Sequence, residues 1–269
     1  ARGAWVPVKN GVIALKPSGD ATLKANGSGL IQVKDGDVIV NSNGSSAGST
    51  DGGNAIVSTT GTYITGGYSG GGFQPTPETG IAPVPDPLAY LPTPTKPSTN
   101  GTITNDNQNN KVTLTPGYYS QAFKETQKTV IMQPGEYYFE KGFDVSGQAG
   151  ITANGVFIYN NGTGTSEGIN ITGTGAVSMS PMTTGTYQGI TFFQNRDSTV
   201  PIKITGNGSY DLRGTIYGAS ANADISGNGD LSVAGQVIVG TLVVGGNGTT
   251  VIDFNAPDAP NTRVIQLIE

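Results

Sequence analysis

The chain has 269 residues, among them 42 glycines and 16 prolines, and carries a formal net charge of −5. It holds no histidine and no cysteine, which excludes imidazole bases and ligands, thiol nucleophiles, thiolate metal sites and disulfides. A pI near 4.7 leaves no basic stripe for nucleic acid, and no run reaches the roughly 18 apolar residues of a membrane span.

Residues 1–65 read as N-terminal β rungs or a cap, with strand-like runs in WVPVKNGVIAL, LIQVKDGDVIVN and NAIVSTTGTYIT. Ala1-Arg2-Gly3 leads straight into them without a legible signal peptide, so the chain reads as a mature or truncated piece of a longer precursor. Residues 66–110 form a Gly/Pro-rich excursion, with GGYSGGG followed by eight prolines between Phe73 and Pro97. Proline donates nothing to a ladder and holds the chain extended. Ile81, Val84, Leu88, Tyr90 and Leu91 are too apolar for a solvated tether, so the excursion is expected to lie ordered across one body. TNDNQNN (104–110) reads as a polar loop. Residues 111–256 are the regular part, roughly seven rungs at about 20 residues each, and 257–269 form a C-terminal cap or tail.

One motif recurs in the regular part: apolar, polar, apolar, a small residue or two, then Gly-x-Gly. It appears as INITGTG (169–175), IKITGNG (202–208), ADISGNG (223–229) and LVVGGNG (242–248), with first glycines 33, 21 and 19 residues apart. The first interval leaves room for an extra half-coil or an insertion. A weaker copy, LKANGSG, occupies 23–29, and TPGYYS (115–120) and QPGEYYF (133–139) form a second pair whose prolines lie 18 apart. Alternation with period 2 marks strands with one buried face. A repeat of about 20 residues points to stacked coils, none of which buries its apolar face alone. Like residues recur at like positions: Ile171, Ile204 and Ile225 before the corner, Met179, Leu212 and Val233 after it. The predicted fold is therefore all-β, a single-stranded parallel β-helix (solenoid) with a Pro-rich excursion. A β-sandwich of hairpins is the runner-up, because Asn-Gly turns also favour hairpins.

The ordered set NGVIALKPSGDATLKANGSGLIQV (10–33), DPLAYLPTPT (86–95), the TPGYY and QPGEYYF turns, GITFFQNR (189–196), LRGTIYGASA (212–221) and ISGNGDLSVAGQVIVG (225–240) spans most of the chain. In it the sequence resembles the C-terminal β-helical domain of bacterial Tad (Flp) pilus-assembly proteins of the TadE/TadG-like type. The resemblance implies an extracellular or cell-surface protein in pilus assembly, adhesion or surface structure, with other surface or pilus proteins as partners; open solenoid ends add further copies of itself, as in a filament, and outward aromatics add glycans. That family's N-terminal pilin-like membrane helix is not found in this sequence. Relatives' cysteines near the positions of Asp20 and Ser120 are also missing.

No catalytic, cofactor-binding or metal-binding residues are assigned. Asp211 and Arg213, two apart on one strand, and the adjacent Arg196 and Asp197 are the nearest approach to a polysaccharide-active, pectate-lyase-like site, and their plain reading is a surface pair. Asp51-Gly52-Gly53-Asn54, Asn105-Asp106-Asn107 and Asp253-Phe254-Asn255 offer hard oxygens for Ca2+ without the spacing of a known loop. Asn-x-Ser/Thr triplets begin at Asn26, Asn43, Asn100, Asn161, Asn170, Asn207 and Asn247. Tyr118, Tyr119, Tyr137, Tyr138, Phe139, Phe192 and Phe193 could line a sugar platform, although adjacent residues of a strand face opposite ways, so one of each pair belongs to the core. Thr113-x-Thr115 and Thr163-x-Thr165 raise an ice-binding alternative, which the later rungs VSMSP, YDLRG and LSVAG do not continue.

Overall fold

The computed structural model describes residues 2–6, 9–28, 30–52, 56–228, 231–254, 260 and 264–268. They form 29 strands and no helix, hence no helix long and apolar enough to cross a membrane. Strands β1 (Arg2–Val6) and β29 (Val264–Ile268) pair antiparallel with each other. The remaining 27 belong to one hydrogen-bonded network. Within it the pairing is parallel, apart from one hairpin, so the hairpin-built sandwich is not the fold.

The chain advances in rounds of three strands, and each strand pairs with its counterpart in the next round. Near the N-terminus, β2 (Asn10–Ala14) and β3 (Leu23–Asn26) are two strands of one round. The next holds β4 (Leu30–Lys34), β5 (Asp37–Val40) and β6 (Gly48–Asp51). Then come β7 (Ile56–Ser58), β8 (Thr62–Ile64) and β9 (Tyr68–Ser69), followed by the short β10 (Phe73–Gln74) and β11 (Glu78–Thr79). After the Pro-rich segment, β12 (Ile103–Asp106) forms the antiparallel hairpin with β13 (Lys111–Leu114). The expected polar loop at 104–110 is thus half strand, because the backbone of Ile103–Asp106 covers the otherwise open edge of β13.

Six complete rounds follow. They are β13, β14 (Gly117–Tyr119) and β15 (Phe123–Glu125); β16 (Thr129–Met132), β17 (Gly135–Phe139) and β18 (Phe143–Gly147); and β19 (Ile151–Asn160), which serves two positions, with β20 (Ile169–Gly173). Next come β21 (Val177–Pro181), β22 (Ile190–Gln194) and β23 (Ile202–Gly206); β24 (Tyr210–Arg213) and the long β25 (Thr215–Gly227); and β26 (Leu231–Ala234) with β27 (Val237–Gly245). The longest interval between Gly-x-Gly copies holds one round with an insertion, since β20 pairs directly with β23.

The seventh round is shared between the two ends of the chain. β28 (Thr249–Asp253) lies on β26, whereas β2 and β3 both lie on β27, and β4 then covers β28. The chain therefore starts in the middle of the series, advances to β11, returns through the Pro-rich segment to β12, and advances again until it meets its own beginning. Three ranks result. Rank 1 runs through β13, β16, the start of β19, β21, β24, β26, β28, β4, β7 and β10; rank 2 through β14, β17, the end of β19, β22, the starts of β25 and β27, β2, β5, β8 and β11; rank 3 through β15, β18, β20, β23, the ends of β25 and β27, β3, β6 and β9.

The recurring glycines mark the corner between ranks 3 and 1. A Cβ at Gly173, Gly206, Gly227, Gly246, Gly27 or Gly52 would sit within about 3.0 Å of the carbonyl oxygen of the equivalent glycine one round before. Rounds cannot approach so closely at that corner with any other residue. The weak LKANGSG copy obeys the same rule across the meeting of the two chain ends, with Gly27 on Gly246. Inside, Ile171, Ile204 and Ile225 lie in register, as do Met179, Leu212 and Val233, all 2% exposed or less. Each such side chain contributes roughly 1.5–3 kcal/mol by leaving water. The two Pro-Gly turns begin at Pro116 and Pro134, but the strands after them pair with Tyr118 on Tyr138 and Tyr119 on Phe139. What repeats from one turn to the other is the corner: Tyr119 Oη donates to the Thr115 carbonyl (2.6 Å) and Tyr137 Oη to that of Gln133 (2.7 Å).

Candidate functional site: one strapped rank and two open ones

Rank 2 is apolar on both faces. Its outward side chains form one column, Tyr118, Tyr138, Tyr159, Phe193, Tyr217, Ile238, Ile13, Ile39 and Tyr63, each in register with the next. Successive aromatic centroids from Tyr118 to Tyr217 lie 5.8, 4.9, 5.6 and 4.6 Å apart. The Pro-rich segment lies over this column as a strap, and Ile81, Val84, Leu88 and Leu91 complete a second apolar core with it. Tyr90 is 51% exposed. From the insertion of the fourth round, Tyr187 stacks on Phe157 at 4.3 Å and donates to the Pro92 carbonyl.

Polar anchors fix the strap along its length. Asn41 pairs with the backbone of Val84 through both amide atoms, at 2.7 and 2.9 Å. Tyr217 Oη donates to Asp86 Oδ2 at 2.6 Å. Arg196 donates from Nη2 to the carbonyls of Leu88 and Leu91 and from Nε to Tyr217 Oη, while its guanidinium lies 4.9 Å from the Phe193 ring. Lys96 sits 3.8 Å over the Tyr118 ring, a cation–π contact. Burial pushes the Tyr217 hydroxyl well above its ordinary range, and its hydrogen bond to Asp86 adds to the effect. It stays protonated and so remains a donor.

On rank 1 from β13 to β4 and on rank 3 from β15 to β3 the outward side chains are exposed or half-buried. On rank 3 the outward column runs Lys124, Asp144, Asn170, Lys203, Asp224, Val243 and Lys24. Beside it Ser146, Thr172, Thr205 and Ser226 line up as a hydroxyl column. Lys24 Nζ meets Asp51 Oδ2 at 2.6 Å, and Lys124 meets Asp144 at 3.8 Å. Rank 1 presents Thr113, Ile131, Thr152, Ser178, Asp211, Ser232, Val251 and Gln32 in one column. At the β12 end, a cleft of about 280 Å³ opens between Asn100, Ile103, Tyr118 and Phe123.

The residues singled out by sequence fall into different places. Asp211 and Arg213 both face outward on rank 1. Arg196 does not join them, because it holds the strap. Asp197 is an exposed turn residue whose backbone N–H donates to Asn195 Oδ1. Asn105 and Asn107 turn their Oδ1 atoms to Lys128 Nζ, at 2.7 and 2.8 Å, so an ammonium already sits where a cation would. The neighbouring Asp106 accepts from the side chain and backbone of Asn109, which lowers its pKa. Asp51 is committed to Lys24; Gly53, Asn54 and Asn255 lie outside the described residues. No group of three or more His, Cys, Asp or Glu among the described residues is arranged to hold a metal ion.

Tyr119, Tyr137, Phe139 and Phe192 belong to the inner core and Tyr118, Tyr138 and Phe193 to the strapped column, so they form no common platform; Tyr118 and Tyr119 also border the cleft at the β12 end. Thr113 stands on rank 1, Thr115 bonds Thr102 in a corner, and Thr163 and Thr165 lie in the turn after β19; they form no common rank. Among the triplets, Asn170 faces outward on rank 3, Asn161 is tied to Glu140 and Asn195, and Asn207 and Asn247 are exposed corner residues. Sequence reasoning missed the strap anchors Asn41, Asp86 and Tyr217. The available signal was GVFIYN and ITFFQ, whose consecutive apolar residues mark strands buried on both faces. Comparison with protein-family models, curated proteins and solved structures finds no match.

Proposed function

We propose that the chain is a single-stranded parallel β-helix serving, without catalysis, as an extracellular or cell-surface module for adhesion, assembly or filament structure, with a Tad-type pilus as its setting. The observation that carries the reading is the contrast between ranks. One rank is sealed by the strap, while the other two present mostly polar side chains in register at the strand spacing of about 4.8 Å. Such a surface is periodic and suits another periodic surface: a glycan chain, a pilus protein or a further copy of this chain. The setting rests on the sequence resemblance. Binding of the purified chain to a glycan panel and to Tad-piliated cells tests it. Binding lost on changing Lys203 and Thr205 together supports the reading, and the absence of binding to either target contradicts it.

A second reading, a polysaccharide-active enzyme, has one observation in its favour: Asp211 and Arg213 share the open face of rank 1. New reducing ends or unsaturated products that vanish in the Asp211→Asn and Arg213→Ala variants would replace the first reading with this one.

A further inference from the structure

The meeting of the chain ends divides the molecule into an upper unit, residues 9–84, and a lower unit, residues 86–254. Within each, strands pair with near neighbours in sequence. Across the division they do not: β2 and β3 add to β27, and β4 adds to β28, joining residues from opposite ends of the chain. The seam is ordinary parallel sheet. Leu15 N–H donates to the Val239 carbonyl, Leu242 N–H to that of Thr22, and Gln236 Nε2 to that of Asn10. Nothing in this bonding distinguishes an upper unit of the same chain from that of a second copy.

The strap is the covalent link between the two units, and its anchors divide at one point. Val84 is held by Asn41 of the upper unit, whereas Asp86 is held by Tyr217 of the lower. Pro85 lies between them. Rotation there swings the upper unit away while Arg196 keeps its grip on Leu88 and Leu91. If the strap peels further, residues 80–98 reach about 59 Å as an extended Pro-rich chain. The distance they cover in the closed molecule is about 43 Å, nine strand spacings.

We propose that copies of this chain exchange upper units, each docking residues 9–84 on β27 and β28 of another copy, with Pro85 as the hinge. Exchange re-forms every seam contact and changes only the course of the strap, the usual reason such swapping costs little. Reciprocal exchange gives a closed dimer, and successive exchange gives a chain of copies. The inference depends on the pairing across the seam and not on what the open ranks bind.

Val251 and Gln32 face outward and pair directly across the seam, close enough for a disulfide, and the natural chain has no cysteine. The full-length Val251→Cys and Gln32→Cys variants, carrying different affinity tags, are co-expressed, purified and oxidised, with the double variant as reference. Exchange predicts a covalent dimer joined specifically through positions 251 and 32, in a yield that rises with expression level, and no such dimer when separately purified monomers are mixed after folding. The double variant must form the 251–32 bond within one molecule. If it does so while the co-expressed single variants yield no 251–32 dimer at any level, exchange is refuted. If the double variant folds as a monomer and fails to form the bond, the seam itself is wrong and the proposal falls with it.

Discussion

Ranks 2 and 3 are built from the same kind of short parallel strand, yet one is buried on both faces and the other on one. The difference lies in the outward positions. Rank 3 places Lys124, Asp144, Asn170, Lys203 and Asp224 there, whereas rank 2 places Tyr138, Tyr159, Phe193 and Tyr217. An aromatic column left in water would be an exposed patch of the kind that drives association. The strap converts it into a second core, and in doing so carries the chain back from β11 to β12. A connection that looks like a linker in sequence therefore acts as a layer of the structure.

Substitutions that act on one rank and not the other sharpen this contrast. The largest effect is expected from Phe193→Ala. The side chain is fully buried although it points away from the inner core, so its loss should cost about 3–5 kcal/mol. Urea unfolding measures it, and a change under about 1 kcal/mol would mean that the strap does not cover rank 2. Next comes Arg196→Ala, which removes the guanidinium from the Leu88 and Leu91 carbonyls and leaves Leu88 only the backbone N–H of Leu91. A loss of about 2–3 kcal/mol is expected, with faster proteolysis between residues 85 and 95. Lysine at this position should not restore resistance, because a single ammonium cannot bond these carbonyls while also placing a donor on Tyr217 Oη and a planar group beside the Phe193 ring.

Alkaline pH acts on the same cores. Burial raises the Tyr119 hydroxyl from 10.0 to about 12, and burial also pushes up those of Tyr137, Tyr159 and Tyr217. Above about pH 10 the unfolded chain loses tyrosyl protons that the folded chain keeps. Stability is then complete below about pH 10 and falls as pH rises toward and past 12, by at most about 1.4 kcal/mol per pH unit for each tyrosine. Thermal melting from pH 8 to 12 checks the sign. The smallest effect belongs to rank 3, where Lys203→Ala and Thr205→Val should each stay within about 0.5 kcal/mol. A loss at Lys203 several times that size would show that this face is covered too.

The parallel pairing and the inner columns were legible because they rest on local repetition. Gly173, Gly206 and Gly227 repeat since each corner brings backbone against backbone, and Ile171, Ile204 and Ile225 repeat since each faces the same interior. The seam between β27 and β2 was not legible. Leu23-Lys24-Ala25 resembles the later copies, but similarity among repeats does not say which one follows which in space. The role of Arg196 was hidden for a related reason: its partners, Leu88 and Leu91, are distant in sequence and offer only carbonyls, which leave no mark on side-chain pattern. The hydroxyl column Ser146, Thr172, Thr205 and Ser226 was only partly legible: the last three share one place in the Gly-x-Gly copies, whereas Ser146 is followed by Gly147-Gln148-Ala149 and lacks the motif.

The most direct test of the whole arrangement is a spin-label distance between Gln74→Cys and Thr113→Cys. These positions are near neighbours on the scale of the whole chain but stand at opposite ends of one rank-1 column, nine strand spacings from each other. In dilute monomer, a single narrow distribution centred at about 43 Å is the predicted result. A broad distribution, or one centred below about 25 Å, fewer than six strand spacings, would contradict the seam, the strap and the shared seventh round together.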